Sequence, residues 1–125
     1  MSSANKRRGT TFERAIEGYL LEEGLSATRL PRAGSRDIGD LHVQIKGQPG
    51  PEYLVIEAKA RKALNLSEWL KEAEIEAAHH EARYGRPTHP LVIHKARGRG
   101  IAEARVTMTL ADFIGLLRAQ GVVGV

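Results

Sequence analysis

The stretch Asp40-Leu41-His42-Val43-Gln44-Ile45, followed by Gly47-Gln48-Pro49-Gly50-Pro51 and then Tyr53-Leu54-Val55-Ile56-Glu57-Ala58-Lys59, decides the fold. Its first six residues alternate polar and apolar, the period-2 pattern of a half-buried strand. Gly47 to Pro51 carries two glycines and two prolines in five residues and can only turn. Tyr53 to Ile56 is rich in β-formers, and the run continues through Glu57, Ala58 and Lys59. The two runs predict an antiparallel hairpin.

On the N-terminal side, residues 1–9 read as a flexible basic arm. Thr10-Thr11-Phe12-Glu13 has the form of a capping box, and Phe12, Ile16, Tyr19 and Leu20 recur at helical spacing. The pattern predicts a helix over about residues 11–23, ended by Gly24. Ser26 to Leu30 is short and extended, and residues 33–39 form a glycine-flanked polar loop. On the C-terminal side, Asn65 or Ser67 caps a second helix with Leu66, Trp69, Leu70, Ala73 and Ala77 on one side, fading near Gly85-Arg86-Pro87. Pro90 to His94 and Arg105 to Met108 read as strands, and Thr109 to Arg118 as a final helix. This order implies one α/β domain over residues 1–125, a mixed central sheet flanked by helices.

Composition narrows the class. The chain has 125 residues, 42% hydrophobic and 27% charged, which fits a single globular domain. No apolar run approaches the roughly 20 residues that cross a bilayer. Met1 to Arg8 is polar and then basic, unlike a secretory signal, so a cytoplasmic location and no membrane partner are expected. The absence of cysteine excludes disulfides, thiolate metal sites and thiol nucleophiles. Nineteen Lys and Arg against fifteen Asp and Glu give +4 and a pI near 9.7, which suits a polyanion as well as a plain basic surface.

The chemistry gathers at the hairpin. Residues two apart on a strand share a face, so Glu57 and Lys59 point the same way. Asp40 opens the partner strand, and a short turn lets it approach Glu57. Two carboxylates from neighbouring strands supply hard oxygens suited to Mg²⁺, and an adjacent lysine can orient water or stabilise phosphate charge. The competing reading is a same-face ion pair at a strand edge. Glu13 doubles as the return partner of the capping box, and Glu72 reads as part of a solvated helix face. His79 and His80 point about 100° apart on a helix and do not suit one ion. His42, His89 and His94 read as strand or surface histidines, and Trp69 as core or interface.

Asp40 followed by Glu57-Ala58-Lys59 resembles the signature of the PD-(D/E)xK nuclease superfamily. Arg8-Gly9-Thr10-Thr11-Phe12-Glu13-Arg14 resembles the opening helix of archaeal-type Holliday junction resolvases, and Arg32-Ala33-Gly34-Ser35 their Gly-Ser loop before the first metal-binding aspartate. The resemblance implies a restriction-endonuclease-like core and a structure-selective endonuclease cutting four-way junctions with Mg²⁺-activated water, Mn²⁺ substituting. It implies Asp40, Glu57, the Ala58 carbonyl and Glu13 at the metal, Lys59 as base or charge stabiliser, and Ser35 at the scissile phosphate. Asp37 is the alternative to Asp40, and Gly39 stands where the superfamily motif has proline. Branched DNA and a homodimer are the implied partners. The DNA-binding set expected beside them is Lys6, Arg7, Arg8, Arg14, Arg32, Arg36, Arg61, Lys62, Arg97 and Arg99. The competing functions are another nuclease of this core (nicking, repair or restriction-type) and a non-catalytic DNA-binding module.

Overall fold

The computed structural model describes residues 3–31, 37–122 and 124. Helix α1, Ser3–Glu22, leads into strands β1, Ser26–Arg29, β2, Leu41–Ile45, and β3, Glu52–Lys59. Helix α2, Leu66–Tyr84, returns the chain to β4, Thr88–His94. A short 3-10 turn at Ile101–Glu103 precedes β5, Arg105–Thr107, and helix α3, Leu110–Ala119. The five strands lie in sequence order in one sheet. β1, β2 and β3 are successively antiparallel, β3 and β4 are parallel, and β4 and β5 are antiparallel. This is the mixed α/β sheet that the hairpin and the spacing of the helices predict. No helix among the described residues is long and apolar enough to cross a membrane.

A parallel pair needs a crossover, and α2 supplies it. The consequence is positional: β3 and β4 end side by side, with Lys59 opposite His94. The Lys95 amide then donates to the Lys59 carbonyl at 3.0 Å. Side-chain alternation sorts β3 between two layers. Ile56 joins Phe12, Ile16, Leu41, Val43, Leu91 and Ile93 under α1, whereas Val92 packs with Trp69 and Ala73 under α2. Leu41, Val55 and Ile56 are essentially inaccessible, and each such side chain contributes roughly 1.5–3 kcal/mol of burial. Glu57, one residue from Ile56 and level with Val92, therefore faces the α2 layer.

The N-terminus differs from expectation. The helix begins at Ser3, so Lys6, Arg7 and Arg8 lie on α1 and not on a separate arm. Thr10 and Glu13 consequently sit inside the helix, where a capping box has no free amides to satisfy. Lysine and arginine are good helix formers, and the one glycine in the segment costs only about 1 kcal/mol. Glu13 is buried, 3.6 Å from the Arg29 guanidinium. The other end is as expected: Gly24, at φ +84°, closes the helix, and the Leu25 amide donates to the Leu20 carbonyl.

The α2 layer also holds a polar core. His80 is fully buried, with Nε2 2.8 Å from His42 Nδ1 and its ring stacked on Tyr84. Burial, then the neighbouring His42 and Arg83, lowers its pKa to about 4. Unfolded histidine takes up a proton below pH 6.5, whereas His80 in the fold does not until about pH 4. Its contribution to stability is thus complete above pH 6.5 and lost as pH falls toward 4. Thermal unfolding at pH 6.5 and pH 5.0 is expected to show a clear fall in melting temperature. His80→Gln should flatten that fall by about one proton's worth of pH dependence; an unchanged slope would refute the assignment.

Candidate active site

The backbone at residues 37–40 is built to deliver one carboxylate. Gly39 has φ +102°, and a Cβ there would lie 2.7 Å from Val55 Cγ1 in the core. Proline, with φ fixed near −65°, has no access to this conformation, which explains why the residue before Asp40 is glycine. The Gly39 amide donates to Asp37 Oδ1 at 3.0 Å, tightening the bend. The Asp40 amide then donates to the Ile56 carbonyl at 3.0 Å. Asp40 Oδ2 accepts the Ala58 amide at 2.8 Å, so the carboxylate is clamped onto the backbone of β3 beside Glu57. An extended residue directs its N–H and C=O to the same edge, so the Ala58 carbonyl lies on Asp40's side.

Asp40 and Glu57 are both buried and within hydrogen-bonding reach of one another. Burial first, then the hydrogen bond to Asp40 and its charge, pushes the Glu57 pKa up to about 12. Lys59 Nζ lies 4.0 Å from Glu57 Oε2, 3.1 Å from Glu72 Oε2 and 6.0 Å from the Trp69 ring centroid. Burial raises Glu72, but hydrogen bonds from Glu57 and Lys59 outweigh it, and its pKa lies below the ordinary value. Glu76 is pushed up to about 8, first by burial, offset in part by Glu57 and reinforced by Asp37 and Asp40. This concentration of carboxylates around one ammonium is unfavourable in a metal-free state and is relieved by a divalent cation. The donors are all hard oxygens, and the buried Glu76 Oε1 has no hydrogen-bond partner among the described residues. Both features fit Mg²⁺ or Mn²⁺.

A cavity of about 690 Å³ opens onto this cluster. Glu13, Asp37, Asp40, Glu57, Ala58, Lys59 and Glu72 line it together with the basic residues Lys6, Arg8, Arg61 and Lys62. A larger, shallower depression of about 820 Å³ beside the end of α2 lacks this pairing of buried acids with a lysine. The structure thus brings together most of the residues the sequence singles out. Arg7 and Arg14 are exposed on α1. Arg97 and Arg99 belong to the loop after β4, at the same end of the sheet as Lys59, and Arg99 pairs with Glu103 at 3.1 Å. Arg32, Ser35 and Arg36 lie outside the described residues. Glu72 is exposed, as its reading as part of a solvated helix face expects, and it meets Lys59 Nζ at the cavity rim. Glu76 was not singled out by the sequence reading at all. Its signal is a carboxylate on the buried stripe of α2, in register with Trp69, Ala73, Ala77 and His80.

The family model described as archaeal Holliday junction resolvase (Hjc) matches residues 4–114. The chain belongs to the archaeal Holliday junction resolvase family. Resolvases of this family are endonucleases, and a nuclease of this kind is metal-dependent and binds branched DNA. Among solved structures, the Holliday junction resolvase Hjc of the archaeal hyperthermophile Archaeoglobus fulgidus is similar to this resolvase at 21% identity. That match covers 85% of this chain and 92% of the other, with a TM-score of 0.48. No curated protein matches the chain.

The bend that aims Asp40 is sterically constrained. Gly39→Ala imposes a Cβ on a left-handed residue and against Val55. A loss of about 2 kcal/mol is expected, read as a lower midpoint in urea unfolding. A midpoint equal to that of the unsubstituted chain would show that the bend carries no such constraint.

Proposed function

We propose that this resolvase hydrolyses the phosphodiester backbone of four-way DNA junctions at the Asp40–Glu57–Lys59 cluster, with Mg²⁺ as the native ion and Mn²⁺ as a substitute. The observation that carries the reading is the clamping of Asp40 onto β3 beside Glu57, with Lys59 alongside and basic residues at the cavity rim. Asp40, Glu57 and the Ala58 carbonyl would hold the ion, with Glu13 on the cavity wall as the further acid. When bound, the cation supplies Lewis-acid stabilisation of phosphate charge and lowers the pKa of a nearby water.

The chain's own groups do the rest. Lys59, steered by Glu72 and Trp69, presents its ammonium to the non-bridging phosphate oxygens, where charge grows in the transition state. Lys6, Arg8, Arg61 and Lys62 neutralise the flanking backbone phosphates without reading bases, which suits recognition of branched shape. Arg7, Arg14, Arg97 and Arg99 extend that surface, and Arg32, Ser35 and Arg36 are assigned to phosphate contact on the resemblance alone. Asp37 supports the bend through its bond to Gly39, which favours Asp40 as the ligand.

Resolution needs two opposed cuts, hence two active sites and a homodimer. An unpartnered stripe on α3 supports the second copy: Leu110, Phe113 and Ile114 recur at i, i+3 and i+4 and are all exposed. A labelled junction incubated with Mg²⁺ is expected to yield paired symmetric nicks. Lys59→Ala should cut about 100-fold more slowly or worse while still binding the junction. Mixtures of the two chains should accumulate single nicks, as a dimer with one working site must. Equal cutting of linear duplex, or unimpaired cutting by the variant, would refute the reading.

A further inference from the structure

Helix α2 meets the bend before Asp40 with a histidine as well as with acids. Glu72, Glu76 and His79 are spaced by four and then three residues, so they share one helix face. Glu72 meets Lys59 at 3.1 Å, and Glu76 makes a side-chain hydrogen bond with Asp37. His79 completes the stripe: its Nδ1 lies 2.9 Å from the Asp37 carbonyl oxygen, a contact across 42 residues of chain. A carbonyl only accepts, so Nδ1 carries the hydrogen and donates it. His80, the next residue, turns away to His42 in the polar core.

This bond reaches the bend at the end farther from the sheet. From Asp40 onward the chain is fixed to β3, through the Asp40 amide on the Ile56 carbonyl and the Ala58 amide on Asp40 Oδ2. Upstream, Asp37 is exposed, and its Oδ1 accepts the Gly39 amide two residues on. Such a local turn sets the curvature of the bend but not its place on the molecule. Ile38 is buried beneath it, and burial is non-directional. The donated bond from His79 adds a directional tie to a long helix.

We propose that His79 is a positioning residue for the cation site, holding in place the bend that presents the Asp40 carboxylate. The inference rests on the reading that Asp40 and Glu57 hold that ion. An incidental surface hydrogen bond would leave ion binding unchanged, whereas a positioning bond has a signature in ion selectivity. Mg²⁺ demands near-ideal octahedral geometry, and Ca²⁺ accepts six to eight oxygens in a flexible arrangement. A displaced Asp40 therefore costs Mg²⁺ more than it costs Ca²⁺.

The test is ion binding to the full chain without DNA. Mg²⁺ and Ca²⁺ are each read by their displacement of Mn²⁺, whose free form is followed by electron paramagnetic resonance. His79→Leu should weaken Mg²⁺ about 3- to 10-fold, the worth of one hydrogen bond, and Ca²⁺ by less than about 2-fold. Leucine is the better helix former, so this change does not weaken α2. His79→Asn sets an amide N–H at the position of Nδ1 and should restore Mg²⁺ binding to within about 2-fold of the unsubstituted chain. Unchanged Mg²⁺ affinity in His79→Leu, an equal loss for both ions, or no recovery in His79→Asn would each overturn the proposal. No ion bound by the unsubstituted chain would overturn it together with the Asp40–Glu57 reading, an outcome distinct from a failure at His79 alone.

Discussion

The hydrogen bond from the Ala58 amide to Asp40 Oδ2, at 2.8 Å, is the constraint on which the site depends. It fixes a carboxylate from the start of one strand onto the backbone of the next and brings it to Glu57. Everything around it serves that placement. Gly39 permits the bend, Asp37 tightens it, and the Asp40–Ile56 backbone bond sets the register. The core under α1 holds Leu41 and Ile56 in place behind it. Two buried carboxyl groups this close oppose each other, and the fold tolerates them because strand pairing and apolar burial on both sheet faces outweigh one local conflict. Such a conflict is the physical ground for proposing a cation site here.

The fold buries three acids and sets four basic residues around the cavity mouth. Asp40, Glu57 and Glu76 are buried, whereas Lys6, Arg8, Arg61 and Lys62 surround the opening. This arrangement of charge suits a polyanion at the rim and a hard cation at the floor. Because β3 and β4 run parallel, the loop after β4 with Arg97 and Arg99 lies at this same end. A sheet with β4 reversed would carry that loop to the opposite end and split the basic surface.

Much of this was legible in the chain. Alternation over residues 40–45, the proline-glycine turn and the β-rich run to Lys59 define the hairpin, and the hairpin alone puts Asp40, Glu57 and Lys59 together. The helices after Asn65 and Thr109 were legible from their apolar periodicity, and the Thr109 side chain does cap α3 by accepting the Asp112 amide. What was not legible required tertiary context. Thr10 to Glu13 matches a capping box, yet α1 continues eight residues before the expected start, so a local motif loses to propagation of the helix. Glu76 reads as an ordinary helix acid until packing shows that its stripe is buried. Glu72 has an exposed carboxylate whose role depends on where Lys59 points, and no periodicity encodes that. The departure at Gly39, which looks like a weakened motif in sequence, is a steric requirement once Val55 lies against it.

The central claim is that Asp40 and Glu57 share one divalent cation. The most direct measurement is a crystal of this chain soaked in Mn²⁺, with anomalous diffraction collected near the manganese edge. The account predicts a strong peak about 2.2 Å from oxygens of both Asp40 and Glu57, with the Ala58 carbonyl alongside. A peak bound through Asp37 and not Asp40, or well-ordered carboxylates with no peak between them, would contradict it.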